Sequence, residues 1–400
     1  MTVIIAPSRI EPAKLEDGIP LDLVETANRL IQASGQLGRN LPAQTLADLA
    51  AMVRMMNSYY SNRIEGNNTR PRDIERALAG DFDADPERRA LQQEHAAHVR
   101  LQAQIDRQAI DGTLGDPSDP ALLRALHRDF YDGATDEMLT IRHAGQVVRL
   151  MPGEWRDGEV EIGEHVPPPH ATLPAFMDHF HKRFRLDWLH GQVARVLAMA
   201  TAHHRFNYIH PFYDGNGRVS RLMSHAMAHH AGIAAGGLWS VSRGLARGLE
   251  DGLPGREEYR RMMMLADRVR QGDRDGRGAL SLAALTSFTT WFLAICEDQV
   301  RFMSSMFAFD TLGERLARYA AVSDLGDRAG ELLRIILLRG EVERGDVAAL
   351  LGVAPRTARI TMKQLLDDGV LGSETPRGAL MLRFPSKTHD VLFPRLFDIG

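Results

Sequence analysis

The reading starts from His210 to Arg221, "HPFYDGNGRVSR". It holds a histidine, a proline, one carboxylate, an asparagine between two glycines, and two arginines. His210 closes a long helical pattern, and Pro211 restricts the residue before it and stops the helix from running on. Imidazole has an ordinary pKa near neutrality, so His210 is a candidate general base. Phe212 reads as the anchor of the loop in the core. Gly215 and Gly217 can take positive φ and leave backbone N–H groups bare, the composition of an anion nest. The amide of Asn216 can donate to a phosphate oxygen. "RVSRLMSHAMAHH" reads as a helix whose N-terminus adds a positive dipole end. Arg218 and Arg221 share one face of it, and guanidinium matches phosphate bidentately. Asp214 is the only acid. One carboxylate suits Mg²⁺, which keeps waters and takes further oxygens from a nucleotide. The whole reads as a cradle for polyphosphate and Mg²⁺ with a base at its rim, the equipment of phosphoryl or nucleotidyl transfer. No G-x-G-x-x-G and no G-K-[ST] loop occurs in it.

The stretch resembles the signature of the Fic family, His-Pro-Phe-x-Asp/Glu-Gly-Asn-Gly-Arg-x-x-Arg, and fills every fixed position. The resemblance implies transfer of AMP from ATP to a Ser, Thr or Tyr hydroxyl of a target protein, with release of pyrophosphate. It makes His210 the base, Asp214 the Mg²⁺ ligand, Gly215, Asn216 and Gly217 the phosphate loop, and Arg218 and Arg221 the partners of the distal phosphates. It also implies a target-binding flap, placed at Glu159, Val160, Glu161 and Ile162, that holds a target segment as an added strand. An aromatic residue beside the adenine is expected, and Tyr259 is the candidate, with core packing as its alternative role.

Upstream, "SNRIEGN" from Ser61 to Asn67 resembles the family's inhibitory motif, Ser/Thr-x-x-x-Glu-Gly/Asn, filled by Ser61, Glu65 and Gly66. A carboxylate on such a helix pairs with an arginine of the phosphate cradle. Glu65 is therefore expected on Arg221, where it would keep the γ-phosphate from its productive seat. The plainer alternative is a helix end with Gly66 as C-cap.

Around these motifs the 400-residue chain is ordinary for a globular protein, 44% hydrophobic and 25% charged. Its length suits two or three domains, and a net charge of -4 argues against a whole-chain polyanion binder. The single cysteine, Cys296, lies in an apolar helical pattern and reads as a buried thiol in a reducing compartment. With no signal-peptide pattern and no apolar run of membrane length, a cytoplasmic location is expected.

Helical periods dominate from residue 21 onward, after an extended lead-in. Asp85 and Pro86 mark one helix start. Residues 140–169 alternate apolar and polar positions between glycines and predict a short β-hairpin. The expected divisions are 1–110, an N-terminal helical region with the inhibitory motif; 111–325, the core; and 326–400. The last part reads as helix, helix-turn-helix and hairpin, a winged-helix plan. The predicted fold is mainly α, a Fic helical bundle with a hairpin flap and a C-terminal winged helix.

The candidate recognition helix carries Arg356, Arg359 and Lys363 on one face. Yet residues 331–400 hold ten Lys+Arg against nine Asp+Glu, a weak footprint for DNA. Duplex DNA, a target protein and a second copy of the chain, as a homodimer, all stay open as partners. His225 and His229 are i, i+4, and His203 and His204 precede them. Without H-E-x-x-H or a neighbouring cysteine they read as ordinary helix residues rather than a zinc site. The Met262–Met264 run reads as core filler. Self-modification, removal of AMP, transfer of another nucleotidyl or phosphoryl group, and a DNA-binding regulator with a nucleotide-sensing core remain the alternatives to AMP transfer.

Overall fold

Local chemistry sets the helix starts. The Asp85 carboxylate accepts from the Arg88 N–H at 3.0 Å, with Pro86 in the first turn. Ser240 and Ser281 cap two later helices in the same way. The computed structural model describes residues 4–16, 18–143, 146–326 and 328–397. Ahead of the signature lie α1 Leu21–Gln36, α2 Ala43–Glu65, α3 Pro71–Leu78, α4 Pro86–Ile110 and α5 Pro120–Phe130. Then come α6 Leu173–Phe184, α7 Gln192–Ile209, α8 Asn216–His230, α9 Val241–Arg247, α10 Gly255–Ala266, α11 Leu282–Met306 and α12 Phe309–Val322.

α7 and α8 form the centre. From Val196 onward α7 is buried on nearly every face, and α8 is buried from Arg218 to Ala228. A helix covered all round lies inside a bundle. α8 packs on α7, α4 and α5, and α2 packs on α4 and α9. The lead-in is tied down: Arg205, buried in α7, donates to the Pro12 carbonyl at 3.0 and 2.8 Å. Cys296 is fully buried, which pushes its thiol pKa up. No helix among the described residues is long and apolar enough to cross a membrane.

The hairpin is shorter than expected. β1 Thr140–His143 pairs antiparallel with β2 Gln146–Arg149. After it the chain turns at Pro152–Gly153 and runs without strand partners, apart from one bridge between Ile162 and His165. The alternation of residues 150–161 does not become a strand because side-chain bonds direct this backbone. Arg156 alone takes up the carbonyls of Gly158 and Pro168.

The C-terminal part comprises α13 Ala329–Arg339, β3 Glu341–Val342, α14 Val347–Leu350, α15 Pro355–Asp368, β4 Leu371–Gly372, β5 Leu380–Leu382 and α16 His389–Leu392. The three strands form an antiparallel sheet ordered β3-β5-β4. This part rests on α2: Arg383 pairs with Asp48 at 2.6 Å, and the Tyr60 hydroxyl donates to the Leu396 carbonyl at 3.0 Å. One buried apolar cluster runs from Ile4 to Leu396.

Buried histidines give the fold a pH dependence. Burial lowers the pKa of His95, His203 and His210 to about 3 and that of His127 to about 4. Folded values below the unfolded ~6.5 mean the contribution is complete above that pH and is lost as pH falls toward the folded values. Each group contributes a slope of up to ~1.4 kcal/mol per pH unit. Melting at pH 5 is expected at least ~5 °C below melting at pH 7.5. Equal melting temperatures contradict it.

Candidate active site

The α7–α8 turn builds the centre of the site. His210 leaves α7 with φ 49°, a left-handed conformation rare outside glycine. Arg156 secures it: its Nε donates to the His210 carbonyl at 2.9 Å, its backbone N–H to the Pro211 carbonyl at 2.9 Å, and its Nη1 to the Gly158 carbonyl at 2.8 Å. One buried guanidinium thus joins the 156–168 segment to the backbone of His210. The half-buried His210 ring is held at a pKa of about 3, first by burial and then by the charges of His165 and Arg156, with a backbone hydrogen bond to Asn207 and the Asp214 charge pulling the other way. It is neutral at working pH and has a lone pair to offer.

Phe212 is fully buried and stacks on His127, centroids 3.8 Å apart. His127 accepts from the Gly153 N–H at Nδ1, 2.8 Å, which leaves Nε2 to donate to the Asp214 carbonyl at 3.1 Å. Oδ2 of Asp214 accepts from the Tyr131 hydroxyl at 2.8 Å and from Arg218 at 2.6 Å. Burial pulls the Asp214 pKa up, but the Arg218 charge and the Tyr131 hydrogen bond outweigh it and hold the value at about 2. Arg218 also pairs with Glu94 at 2.9 Å, and Asp214 raises its pKa against the effect of burial.

The glycines differ in role. Gly215 has φ 81° and sits against Tyr131 and His127. Gly217 is already in the first turn of α8, so a left-handed backbone is not its reason. A Cβ there would lie 2.5 Å from Glu65 Oε1 and 3.0 Å from Arg221 Nη1. Asn216 has partners within the turn. Its Oδ1 accepts from the Phe212 N–H at 3.0 Å and its Nδ2 donates to the Phe212 carbonyl at 2.8 Å. The amide staples the turn, and the first N–H groups of α8 have no partner within the helix.

Arg221 is 1% exposed. Its Nε donates to Ser61 Oγ at 2.8 Å, and its Nη2 donates to the Ser61 carbonyl at 3.1 Å and to Glu65 Oε1 at 2.6 Å. Both motifs, far apart in sequence, meet here. Glu65 is the last residue of α2, and Gly66 follows as a left-handed cap with φ 98°. The capping role and the pairing role therefore coexist.

These groups open on a cleft of about 620 Å³ lined by Glu65, His210, Gly217, Arg221 and Tyr259. Tyr259 is buried, bonds His203 through its hydroxyl at 2.7 Å, and lies parallel to Trp291 at 6.2 Å. Its lining and packing roles also coexist. Met263 and Met264 line the cleft, and Met264 is exposed rather than core filler. Of the flap candidates, Ile162 reaches the cleft and Val160 is buried, while Glu159 contacts His170 at 2.7 Å and Glu161 is exposed. Arg256 and Arg260, one turn apart on α10, add two cations to the lining. Sequence reasoning missed them, and it missed His127, Tyr131 and Arg156. The i, i+4 spacing of Arg256 and Arg260 was the one usable signal.

Residues 117–228 match the Fic/DOC family profile. A protein adenylyltransferase Fic from Drosophila willistoni is 32% identical over 140 residues, 32% of this chain and 27% of that protein. One from Aedes aegypti is 39% identical over 95 residues, 23% of this chain and 18% of that protein. The chain therefore spans about a quarter or less of the length of these curated relatives. A Fic family protein from Desulfovibrio desulfuricans superposes with a TM-score of 0.50 at 21% identity, over 95% of this chain and 98% of that one.

Proposed function

We propose, from the premise that residues 117–228 form a Fic/DOC-family domain, that this protein is an adenylyltransferase. It moves AMP from ATP to a hydroxyl side chain of a target protein or of itself, and Glu65 restrains it. What carries the reading is the convergence in one cleft of the neutral imidazole of His210, the α8 N-terminus at Gly217 and the guanidinium of Arg221.

The triphosphate belongs over the first turn of α8, where bare N–H groups and the positive end of the helix meet arginines. His210 takes the proton of the attacking hydroxyl. That oxygen bonds to the α-phosphorus as the bond to pyrophosphate breaks, and the proton stays on the imidazole. Asp214 fits a Mg²⁺ that keeps most of its waters, because its carboxylate is ionised, half exposed, and takes both protein donors on one oxygen. The ion would neutralise phosphate charge. Tyr131 and Arg218 orient the carboxylate, and Ile162 sits where a target segment would cross the cleft mouth.

We read the C-terminal part as a winged helix, supported by its order of elements and its β3-β5-β4 sheet. Arg356 and Arg359 are exposed on α15, but the near balance of charge over residues 331–400 favours a protein partner over DNA.

The test uses ATP labelled in turn at the α- and γ-phosphates with the Glu65→Gly variant. Protein-bound label from the α position and none from γ is expected. Label from γ identifies a phosphotransferase, and label from neither removes the enzyme reading.

A further inference from the structure

Apart from the cleft, the described residues hold one group of metal-type donors: Asp106 on α4, with His225 and His229 one turn apart on α8. The two rings stand at 89° with centroids 4.9 Å apart. Both present Nε2 to the same oxygen, Asp106 Oδ1, at 2.6 and 2.9 Å. All three donor atoms lie within 4.8 Å of one another. The second oxygen, Oδ2, is held separately by Arg54 Nη1 at 2.9 Å.

We propose that Asp106, His225 and His229 form a binding site for a borderline divalent transition ion, zinc(II) foremost. It is separate from the Mg²⁺ position at Asp214 and independent of the function assigned to the cleft.

Two imidazoles and one carboxylate are the donor set such ions favour. Three protein ligands with water as the fourth complete a tetrahedral shell. Magnesium and calcium, which take oxygen donors, are disfavoured. Histidines at i, i+4 offer two ring nitrogens from one helix face. The sequence alone left that pair without a third ligand, and the fold supplies it from α4.

Arg54 does not compete for the ion's position. It binds Oδ2 and fixes the carboxylate, leaving Oδ1 toward both rings, as outer-shell partners of ligating carboxylates do. Space beside the carboxylate is kept by Gly237, with φ 83°, where a Cβ would lie 3.1 and 3.2 Å from the two Asp106 oxygens. The side chain of His229 is 12% exposed, against 7% for each of the others, so the ion and its water enter from the His229 side.

Binding replaces two N–H···O bonds. Nε2 of each ring gives its lone pair to the ion, as coordination by imidazole requires. With bonds near ~2.0 Å each ring nitrogen moves away from Asp106 Oδ1 by roughly half an ångström. A bound ion would link α4 to α8 and, through Arg54, to α2.

The 400-residue protein, stripped with chelator and held in excess Mg²⁺ to occupy Asp214, is titrated with Co²⁺ and then Zn²⁺. One equivalent of Co²⁺ with the intense visible bands of a four-coordinate N/O site is expected, displaced by Zn²⁺, together with a rise in melting temperature. His229→Gln, chosen because that residue is the least buried, should fold as judged by circular dichroism and bind at least ~10-fold more weakly, whereas Asp214→Asn should bind unchanged. No Co²⁺ spectrum and no thermal shift in the wild type reduce the group to a hydrogen-bonded charge cluster and overturn the proposal. Undiminished binding by His229→Gln overturns it equally.

Discussion

Replacing Glu65 with glycine is expected to raise AMP incorporation about 10- to 100-fold. The Glu65 carboxylate lies 2.6 Å from Arg221 Nη2 and 2.5 Å from where a Gly217 Cβ would stand. It therefore covers the first turn of α8, where a helix N-terminus and a buried guanidinium come together. A charge-assisted bond of this kind is worth roughly 1.5–3 kcal/mol net, and each ~1.4 kcal/mol is a factor of ten in an equilibrium. A distal phosphate claiming Arg221 must displace the carboxylate first. On the proposed reading the restraint leaves ATP able to bind, with its α-phosphorus away from His210. Removing the side chain leaves Ser61 on Nε of Arg221, so the arginine stays aimed at the cleft. The variant sits at the C-terminal end of α2, directly before the Gly66 cap, where the helix-propensity cost of glycine is at most ~1 kcal/mol. The check is mass spectrometry of the purified variant and wild type after incubation with Mg-ATP, with thermal melting in parallel. Equal nucleotide adducts in two equally stable proteins remove Glu65 as a restraint.

What the sequence disclosed here follows from how far each contact reaches. His210, Asp214, Arg218 and Arg221 are legible because one turn and one helix start bring them together within twelve residues. Helix starts such as Asp85–Pro86 are legible because capping is local. Glu65 could be paired with Arg221 only through a resemblance, since 156 residues separate them and no periodicity spans that distance. Tyr131, His127 and Arg156 reach the motif from outside it and carry no local mark. Arg156 also explains why strand pairing ends early: alternation predicts a strand, but a buried guanidinium collecting carbonyls from residues 158, 168 and 210 gives that backbone another set of partners. Chemical type points Asn216 and Gly217 to a phosphate; the fold adds the bonds of the Asn216 amide to Phe212 and sets Glu65 against Gly217, contacts that chemical type does not reveal.

The same contacts suggest why α2 makes a good carrier for a restraint. Its C-terminal end presents Ser61 and Glu65 to α8. Its preceding turns are held by Arg54 on Asp106, by Asp48 on Arg383 and by Tyr60 on the Leu396 carbonyl. The last two anchors belong to the C-terminal part.

In the Glu65→Gly background, His210→Ala is expected to lower AMP transfer by about 10²- to 10⁴-fold, the range for loss of a positioned general base, while ATP binding changes less than threefold. The separation follows from where each job is done. The proposed phosphate seat, at the α8 N-terminus and Arg221, is built from groups other than the His210 ring. The loop also keeps its shape without the imidazole. Arg156 holds the backbone carbonyl of residue 210, and the turn is closed by the Asn216 amide on Phe212. The left-handed φ of 49° at this position is no easier for alanine than for histidine, so the variant gains no strain relief to confuse the result. The pH profile supplies a second signature. With the ring pKa lowered to about 3 by burial and by His165 and Arg156, the proton acceptor stays available from pH 8 down to pH 5. The kcat/KM of the Glu65→Gly protein should therefore show no fall near 6.5, where a solvent-exposed histidine would protonate. Single-turnover transfer with labelled ATP measures the rate, and calorimetry measures the binding. Retained transfer in His210→Ala refutes the base assignment, and loss of ATP binding together with transfer would move His210 from the chemistry to the scaffold.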